Sequence, residues 1–274
     1  SRSRPVANPG SLRPRNRLLG AYAWGLVALT SFVPLYALLE KAGGLETYQS
    51  IWKNVHKDIN NSFKLALVGA IVVAIGGTVV ALYASRLNRK RGFVVELLAL
   101  LPFAFPAIVV GVAMNEFWGG FRDLTWIPQF MRDFVDSSIY QSSGIFFFCY
   151  LTLFLPFALR CVVAALKLVD PRQIEAGLLV KRSQFARFKA IVLPVILPGI
   201  TAAFLLGFVL SLGELGAGLI VQPPDSSTVQ IRIFNMIHFA RDEEVAALCV
   251  MIVAVTLLPT LVYSLLFNRK VEVL

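Results

Sequence analysis

Charged side chains are scarce in this sequence. Asp, Glu, Lys and Arg make up 15% of its 274 residues, whereas an average soluble domain is about a quarter charged. Hydrophobic residues reach 57%, and the mean hydropathy is +0.71. These values exclude an ordinary soluble domain and predict an integral membrane protein with no room for a soluble catalytic domain.

Cysteine and histidine are also rare, with three and two residues. Cys149, Cys161 and Cys249 fall inside apolar stretches without paired spacing, so we expect buried thiols and neither a disulfide nor a metal site. The chain has no G-x-x-x-x-G-K-S/T loop, which excludes the usual cradle for nucleotide phosphates. It also lacks an H-E-x-x-H or nucleophile motif, so an intramembrane enzyme is disfavoured, and we expect no catalytic residue and no cofactor on this chain.

Six apolar stretches, each about 20 residues or longer, predict six transmembrane helices. They are approximately Leu18–Leu39, Ser62–Ser85, Phe93–Phe117, Gly144–Leu166, Pro194–Val221 and Val245–Phe267. The first lacks a small-residue cleavage site behind it, so we interpret it as a retained helix rather than a signal peptide. The loops are short, and we therefore expect one all-α domain over residues 18–274 after a basic tail of residues 1–17.

The net charge of +10 is distributed unevenly along the chain. Most of the 26 Lys and Arg residues lie in the tail or after the second, fourth and sixth stretches. The opposite loops carry only Lys41, Lys53, Lys57, Arg122, Arg132, Arg232 and Arg241. By the positive-inside rule, both termini and the loop between spans four and five are predicted to be cytoplasmic. The basic charge is thus a topology signal, and nucleic acid is not an expected partner.

Span three and the loop after it carry local structural signals. Pro102 and Pro106 remove backbone donors and should kink the helix. Glu96, near the cytoplasmic end, can reach the interface or pair with a nearby base, and we favour a structural role over a transport role. The following external loop has apolar residues at helical spacing, among them Phe130 and Phe134. This pattern fits a short amphipathic helix on the membrane surface and equally a docking surface for an external partner.

The loop between spans four and five contains the stretch IEAGLLVKRSQFARFKAIVLP, residues 174–194. Apolar residues recur there every three or four positions, which predicts a pair of short amphipathic helices along the cytoplasmic membrane surface. Its four cations would also suit a basic loop attracted to anionic lipid. That alternative does not explain the E-A-G start or the closing L-P.

This segment resembles the EAA loop in permease subunits of ATP-binding-cassette (ABC) importers. The matching residues, at the expected spacing, are Glu175, Ala176, Gly177, Phe188, Ile191, Leu193 and Pro194. The resemblance runs from about Asn61 to the end of span six. It implies the six-helix, MetI-like permease fold of type I importers, with the coupling loop at about residues 167–194.

Two positions depart from the family pattern. Lys181 stands where the family usually has glycine, and Gly177 takes the third position of the motif in place of alanine. A lysine cannot replace a glycine where short helices turn or pack closely. We therefore expect the turn between the two short helices to differ from the usual one.

The resemblance also implies the partners and the location. The coupling segment would dock in a groove of a cytoplasmic ATPase, where Glu175 would pair with a base. Two such ATPases would hold ATP and Mg²⁺, a second permease unit would complete the solute pathway, and an extracytoplasmic binding protein would deliver the solute. The chain would lie in a bacterial inner membrane and work by alternating access.

Span five contains a stripe of small, partly polar residues around one acidic residue. Its members are Ala203, Gly207, Ser211, Glu214 and Gly218. Glu214 is the only carboxylate deep within the predicted spans, so we expect it to face the bundle interior, a water-filled cavity or a partner subunit. Neighbouring glycines weaken the helix, and irregular backbone there could line a cavity. Over a purely structural glutamate, we favour a gate or pathway role for Ser211, Gly213, Glu214 and Gly218.

The external loop after span five alternates at Val229, Ile231 and Ile233 and then turns helical. Arg232 and His238 are candidates for contact with substrate or a binding protein, although a lone His is more often a hydrogen-bonded loop residue, which we rank first.

The stretches GELGAGLIVQPP and TVQIRIF resemble the second permease half of ferric-iron importers, so ferric iron is the substrate expected first. Thiamine, polyamine, sulfate and phosphonate importers are the alternatives. A rival class is an ion-coupled secondary transporter or channel in which Glu214 carries a proton or cation.

Overall fold

The computed structural model describes residues 14–170, 172–173, 175, 177, 183–223 and 226–271. All regular structure among them is helical. The helices are α1 (Pro14–Val27), α2 (Val33–Lys41), α3 (Leu45–Arg86), α4 (Arg89–Leu100), α5 (Ala107–Arg122), α6 (Gln129–Val135), α7 (Gly144–Leu166), α8 (Gln184–Arg187), α9 (Leu193–Gly213), α10 (Gly216–Val221), α11 (Val229–Phe239) and α12 (Asp242–Val271). Single π-helical turns join α1 to α2, α8 to α9, and α6 to the loop before α7.

Four stretches of helix in the described part of the chain are long and apolar enough to cross a membrane. They are Leu18–Lys41, Leu45–Arg86, Gly144–Leu166 and Gln184–Gly213. The bent pair of α4 and α5 makes a fifth if it counts as one span. The sixth predicted span falls within α12, and the total of six stays a prediction.

The core is a three-helix unit of α3, α7 and α9. Helices in a membrane associate mainly through van der Waals packing, since lipid offers no hydrophobic driving force. Small residues on α3 let the neighbouring helices approach closely enough for this packing. A Cβ added at Gly69 would lie 2.5 Å from Cδ2 of Tyr150, and one at Gly77 would lie 2.6 Å from Cβ of Ala158. Tyr150 and Phe146 of α7 are almost fully buried against this face.

Helix α3 begins much earlier than the sequence indicated. The second predicted span was expected to begin at about Ser62, but the helix that contains it starts at Leu45, after a turn in which Gly43 has a φ of 67°. The extra turns persist because Ile51 and Val55 are buried in a cluster with residues of α11 and α12. Ser62 instead accepts a hydrogen bond from the N–H of Val229 at 2.7 Å.

Two of the predicted spans are broken in the middle. The pair of α4 and α5 is bent by 100°, and the backbone is extended at Phe105, directly before Pro106. This confirms the kink predicted at the prolines, and the bend is large enough to divide the span into two helices. The second break follows Gly213, where Glu214 has an extended backbone before α10 begins. The glycine-rich sequence was expected to weaken the helix there, and the structure agrees.

The helices that follow these two breaks lie side by side and run in the same direction. A Cβ on Gly216, at the start of α10, would sit 3.2 Å from the backbone nitrogen of Ile108, at the start of α5. One turn further along α5, a Cβ on Gly111 would sit 2.9 Å from Cα of Ala217 and 3.2 Å from Cβ of Ile220. The contact is therefore backbone against backbone, which only glycine permits.

Helix α4 is held to α7 by an ion pair. Nη1 of Arg160 donates to Oε2 of Glu96 at 3.1 Å, and the rings of Phe103 and Phe157 meet edge to face nearby. Glu96 thus pairs with a base, one of the two arrangements expected for it. The pair ties the first limb of the broken span to the central unit.

The contact between α5 and α10 predicts a specific packing defect. We expect Gly111→Ala to destabilise the protein, because the new methyl group meets backbone atoms that cannot rotate away; overpacking of this kind costs about 1–3 kcal/mol. Gly120→Ala is the matched control, since it lies on the same helix with no atom within 4 Å of the added Cβ. Alanine should stabilise that site by up to about 1 kcal/mol. The measurement is the thermal unfolding midpoint of both variants in detergent. Equal midpoints would contradict the close contact.

Candidate functional site

The predicted coupling segment folds as a short capped helix that leads directly into a span. The Ser183 side chain accepts a hydrogen bond from the N–H of Ala186 at 3.2 Å, which starts α8. A π-helical turn at Phe188–Val192 then continues into α9 without a break. Ser183 is a favoured N-cap residue, a local signal that the sequence analysis did not use. The predicted second short helix of the loop is therefore present and continuous with span five.

Gly177, in the first half of the coupling segment, packs against the second short helix. Glu175 and Gly177 are helical, with Glu175 exposed and Gly177 partly buried. A Cβ on Gly177 would lie 2.7 Å from Cδ1 of Ile191. The glycine in place of the usual alanine thus matches a close contact with the second short helix. Ala176 and Lys181 lie outside the described residues, as does the predicted turn at Lys181.

The surface of the segment is partly apolar. Phe188, Ile191 and Leu193 are half-buried, whereas Pro194 and Phe185 are exposed. A cavity of about 560 Å³ separates the segment from the ends of α3 and α7. Its lining includes Arg86 and Arg187.

Glu214 occupies the second helix break and satisfies backbone donors there. Oε1 accepts from the N–H of Ala217 at 2.7 Å, and Oε2 accepts from the N–H of Gly218 at 3.0 Å. The residue is buried. Its carboxylate therefore accepts hydrogen bonds from backbone N–H groups that have no partner within the first turn of a helix. It also faces the positive end of the α10 dipole. Of the three surroundings expected for Glu214, the structure shows the bundle interior.

The other members of the span-five stripe face the central unit. Ala203, Gly207 and Ser211 are buried, and a Cβ on Gly207 would lie 3.4 Å from Cα of Ala70 on α3. Gly218 packs near Phe146 of α7. Gly213 has no atom within 4 Å of an added Cβ. Ser211 and Gly218 are thus brought close to Glu214 inside the subunit, while Gly213 borders open space.

The two external candidates sit on α11. This helix starts at Val229, capped by Thr228, so the alternation at Val229, Ile231 and Ile233 belongs to a helix and not to an extended strand. Nε of Arg232 lies 4.0 Å from Oδ2 of Asp58 on α3, a partner that sequence reasoning missed because it is distant along the chain.

His238 is exposed, and its Nδ1 lies 3.1 Å from the carbonyl oxygen of Phe234. The hydrogen bond agrees with the interpretation ranked first for it, but His238 lies in the last turn of α11 and not in a loop. Within the described residues, no group of three or more His, Cys, Asp or Glu side chains lies close enough together to hold a metal ion.

A comparison with family models identifies the chain. The model described as "Binding-protein-dependent transport system inner membrane component" matches residues 74–273. The chain belongs to this family. It is a permease subunit of the type I ABC importer class, a multi-pass inner-membrane component, and the rival of an ion-coupled transporter or channel is set aside.

Relatives of this permease serve different solutes. The probable sulfate transport system permease protein cysT of Prototheca wickerhamii is 24% identical over 75% of this chain and 82% of its own. The ferric transport system permease protein FbpB of Actinobacillus pleuropneumoniae is 26% identical over 60% of this chain but 24% of its own. The spermidine/putrescine permease PotC of Escherichia coli strain K12 is 27% identical over 46% of this chain and 47% of its own.

A solved structure has the same fold as this permease. It is described as a bacterial ABC transporter involved in the import of the acidic polysaccharide alginate, and it matches with a TM-score of 0.68 and 17% identity. The match covers 93% of this chain and 96% of the other.

Proposed function

We propose that this permease forms one half of a solute pathway and that an ATPase binds to it through residues 167–194. In this proposal residues 18–274 form one six-span domain, and both termini are cytoplasmic. A second permease unit completes the pathway, two cytoplasmic ATPases hold ATP and Mg²⁺, and an extracytoplasmic binding protein delivers the solute. The observation that carries the proposal is the capped helix α8, which continues into α9 and contacts Gly177, two residues after the exposed Glu175.

The continuity of α8 with α9 supports a mechanical route from the ATPase to the membrane interior. A push on the coupling segment would travel along α9 to the break at Glu214. Beyond this break, α10 is bound to α5 by the backbone contact at Gly111 and Gly216. The two helices would therefore move together, with their two breaks as hinges, when the pathway opens to one side or the other.

We assign the gate to the break around Glu214. Ser211, Gly213 and Gly218 lie at the same level, and glycine lets the backbone bend there at little cost. The buried carboxylate would hold α10 in one orientation through its two hydrogen bonds. Opening would require those bonds to break or to move with the helix as a unit.

The solute-binding protein would dock on the external end of the molecule, where α11 is anchored. The ion pair between Arg232 and Asp58 and the hydrogen bond from Val229 to Ser62 fix this helix to α3. Its far end, with His238 and Phe239, is exposed. In this assignment Arg232 positions the helix, and His238 lies on the contact surface.

Ferric iron is the substrate we propose first, because the stretch after Glu214 resembles the second permease half of ferric importers and FbpB is among the relatives. Sulfate and polyamines follow from the other relatives, and thiamine and phosphonates from the wider family.

The coupling assignment predicts that Glu175→Ala weakens the association with the ATPase. Truncating one partner of a buried charge pair at an interface costs about 2–5 kcal/mol, so affinity should fall about 30-fold or more. Co-purification with the ATPase and the ratio of ATP hydrolysed to solute transported measure the effect. Glu40→Ala is the control, because Glu40 is an exposed carboxylate at the C-terminal end of the first span. This variant should change neither the co-purification nor the ratio of ATP hydrolysed to solute transported. Normal assembly and normal coupling in Glu175→Ala would sink the assignment.

The gate assignment predicts that Glu214→Gln impairs transport while leaving assembly intact. Gln keeps one oxygen acceptor for α10 but loses the charge, whereas Glu214→Ala loses both acceptors and should also lower the unfolding midpoint. Uptake into proteoliposomes and the yield of the assembled complex separate the two effects. Glu116→Gln, an exposed carboxylate on α5, is the control. Unaltered uptake by the Glu214→Gln variant would show that Glu214 has only a structural role.

The substrate proposal predicts ATP-dependent uptake of radioactive ferric iron by the assembled importer with its binding protein. Excess sulfate, spermidine, thiamine or phosphonate should not compete. Omitting ATP is the control. Uptake of one of the competitors in place of iron would reassign the substrate and leave the permease function intact, whereas solute flux driven by an ion gradient without ATP would contradict the importer mechanism itself.

A further inference from the structure

The loop between α5 and α7 carries an exposed aromatic surface that the transport mechanism does not use. Trp126, Phe130 and Phe134 are 78%, 73% and 62% exposed. The latter two lie one helical turn apart on α6. We call these three residues the aromatic face. The sequence fitted both a membrane-surface helix and a docking surface at this place.

Three different surroundings meet around α6. Val135 is buried against the protein, together with Ile127 just before the helix. At about 100° per residue, Phe130 and Phe134 form a second sector. Gln129 and Asp133, also four residues apart and both exposed, form a third. A helix with a protein side, an apolar side and a polar side is built for a boundary between membrane and water.

The neighbouring chain fixes where that boundary lies. Helix α5 ends directly before this loop, and α7 starts directly after it. Exposed apolar residues along α5, such as Val112 and Phe117, continue toward the loop. The aromatic face therefore directly follows the exposed apolar residues of α5 along the chain, at the end of a predicted span.

The size and chemistry of the aromatic face favour lipid over a soluble protein partner. Each aromatic side chain buries about 150–250 Å², and soluble surfaces seldom expose apolar patches beyond a few hundred Å². A transient partner would leave the whole face in water between encounters, whereas a bilayer covers it permanently. Trp is also enriched at membrane–water interfaces, where its ring is apolar and its N–H stays hydrated.

We propose that Trp126, Phe130 and Phe134 insert into the boundary between headgroups and acyl chains and anchor α6 flat on the membrane surface where α5 ends. The rings would lie about 5–10 Å below the headgroup surface. Gln129 and Asp133 would face water. The anchor would fix the membrane depth of the C-terminal end of α5. This end lies opposite the break at Pro106.

Fluorescence quenching in lipid nanodiscs tests the proposal. The assembled importer is placed in nanodiscs of phosphatidylcholine and phosphatidylglycerol, with acyl chains brominated near the glycerol or left unbrominated. Trp24→Phe and Trp52→Phe remove two exposed tryptophans and leave Trp118 and Trp126. Subtracting the signal of a variant that also carries Trp126→Phe isolates Trp126. We expect brominated lipid to remove most of its emission and aqueous acrylamide to remove little.

A reporter on the polar sector provides the matched control. In the background without Trp126, Gln129→Trp places a ring on the face we assign to water, and it should respond to acrylamide and not to brominated lipid. The proposal is overturned if Trp126 behaves like this control. It is also overturned if adding the binding protein shields Trp126 from acrylamide, because the face would then be a protein docking surface.

Discussion

The interior of a bilayer offers no water to an unpaired backbone donor, and the two broken spans of this permease are arranged around that constraint. At the second break, the carboxylate of Glu214 takes the N–H groups of Ala217 and Gly218. At the first, Pro106 has no N–H to satisfy, and its carbonyl accepts from Val109 and Val110 to start α5. Each break uses a different residue type to meet the same need.

Closing both breaks in this way allows α5 and α10 to touch through their backbones. Gly111 and Gly216 bring the two backbones close together, and two backbone hydrogen bonds hold the carboxylate that caps α10. The same features that make the interior stable also make it a unit that bends only at its two ends. In the proposed mechanism the coupling segment would act on this unit through an uninterrupted helix, while α11 is held separately to α3.

Features that depend on neighbouring residues were predictable from the sequence, whereas contacts between residues far apart in the chain were not. The bend at Pro106, the helix break among the glycines near Glu214 and the capped coupling helix all follow from residues adjacent in the chain. The early start of α3 did not, because Leu45 to Asn60 is helical only through contacts with α11 and α12, far along the sequence. The pairing of Arg232 with Asp58 and the contact of Gly111 with Ala217 belong to the same class. The polarity of Glu214 made it a candidate for the gate, but only the geometry identified its hydrogen-bond partners.

The length of α3 has a mechanical consequence. At 42 residues and a rise of 1.5 Å per residue, the helix is roughly 63 Å long, about twice the thickness of the hydrocarbon core. One end borders the cleft beside the coupling segment through Leu82 and Arg86, and the other packs through Ile51 and Val55 against residues of α11 and α12. In the proposed mechanism such a rod would act as a lever: a tilt of about 5° about its middle would displace each tip by roughly 3 Å in opposite senses. A small movement at the coupling end would thereby reach the opposite end of the helix without passing through any loop.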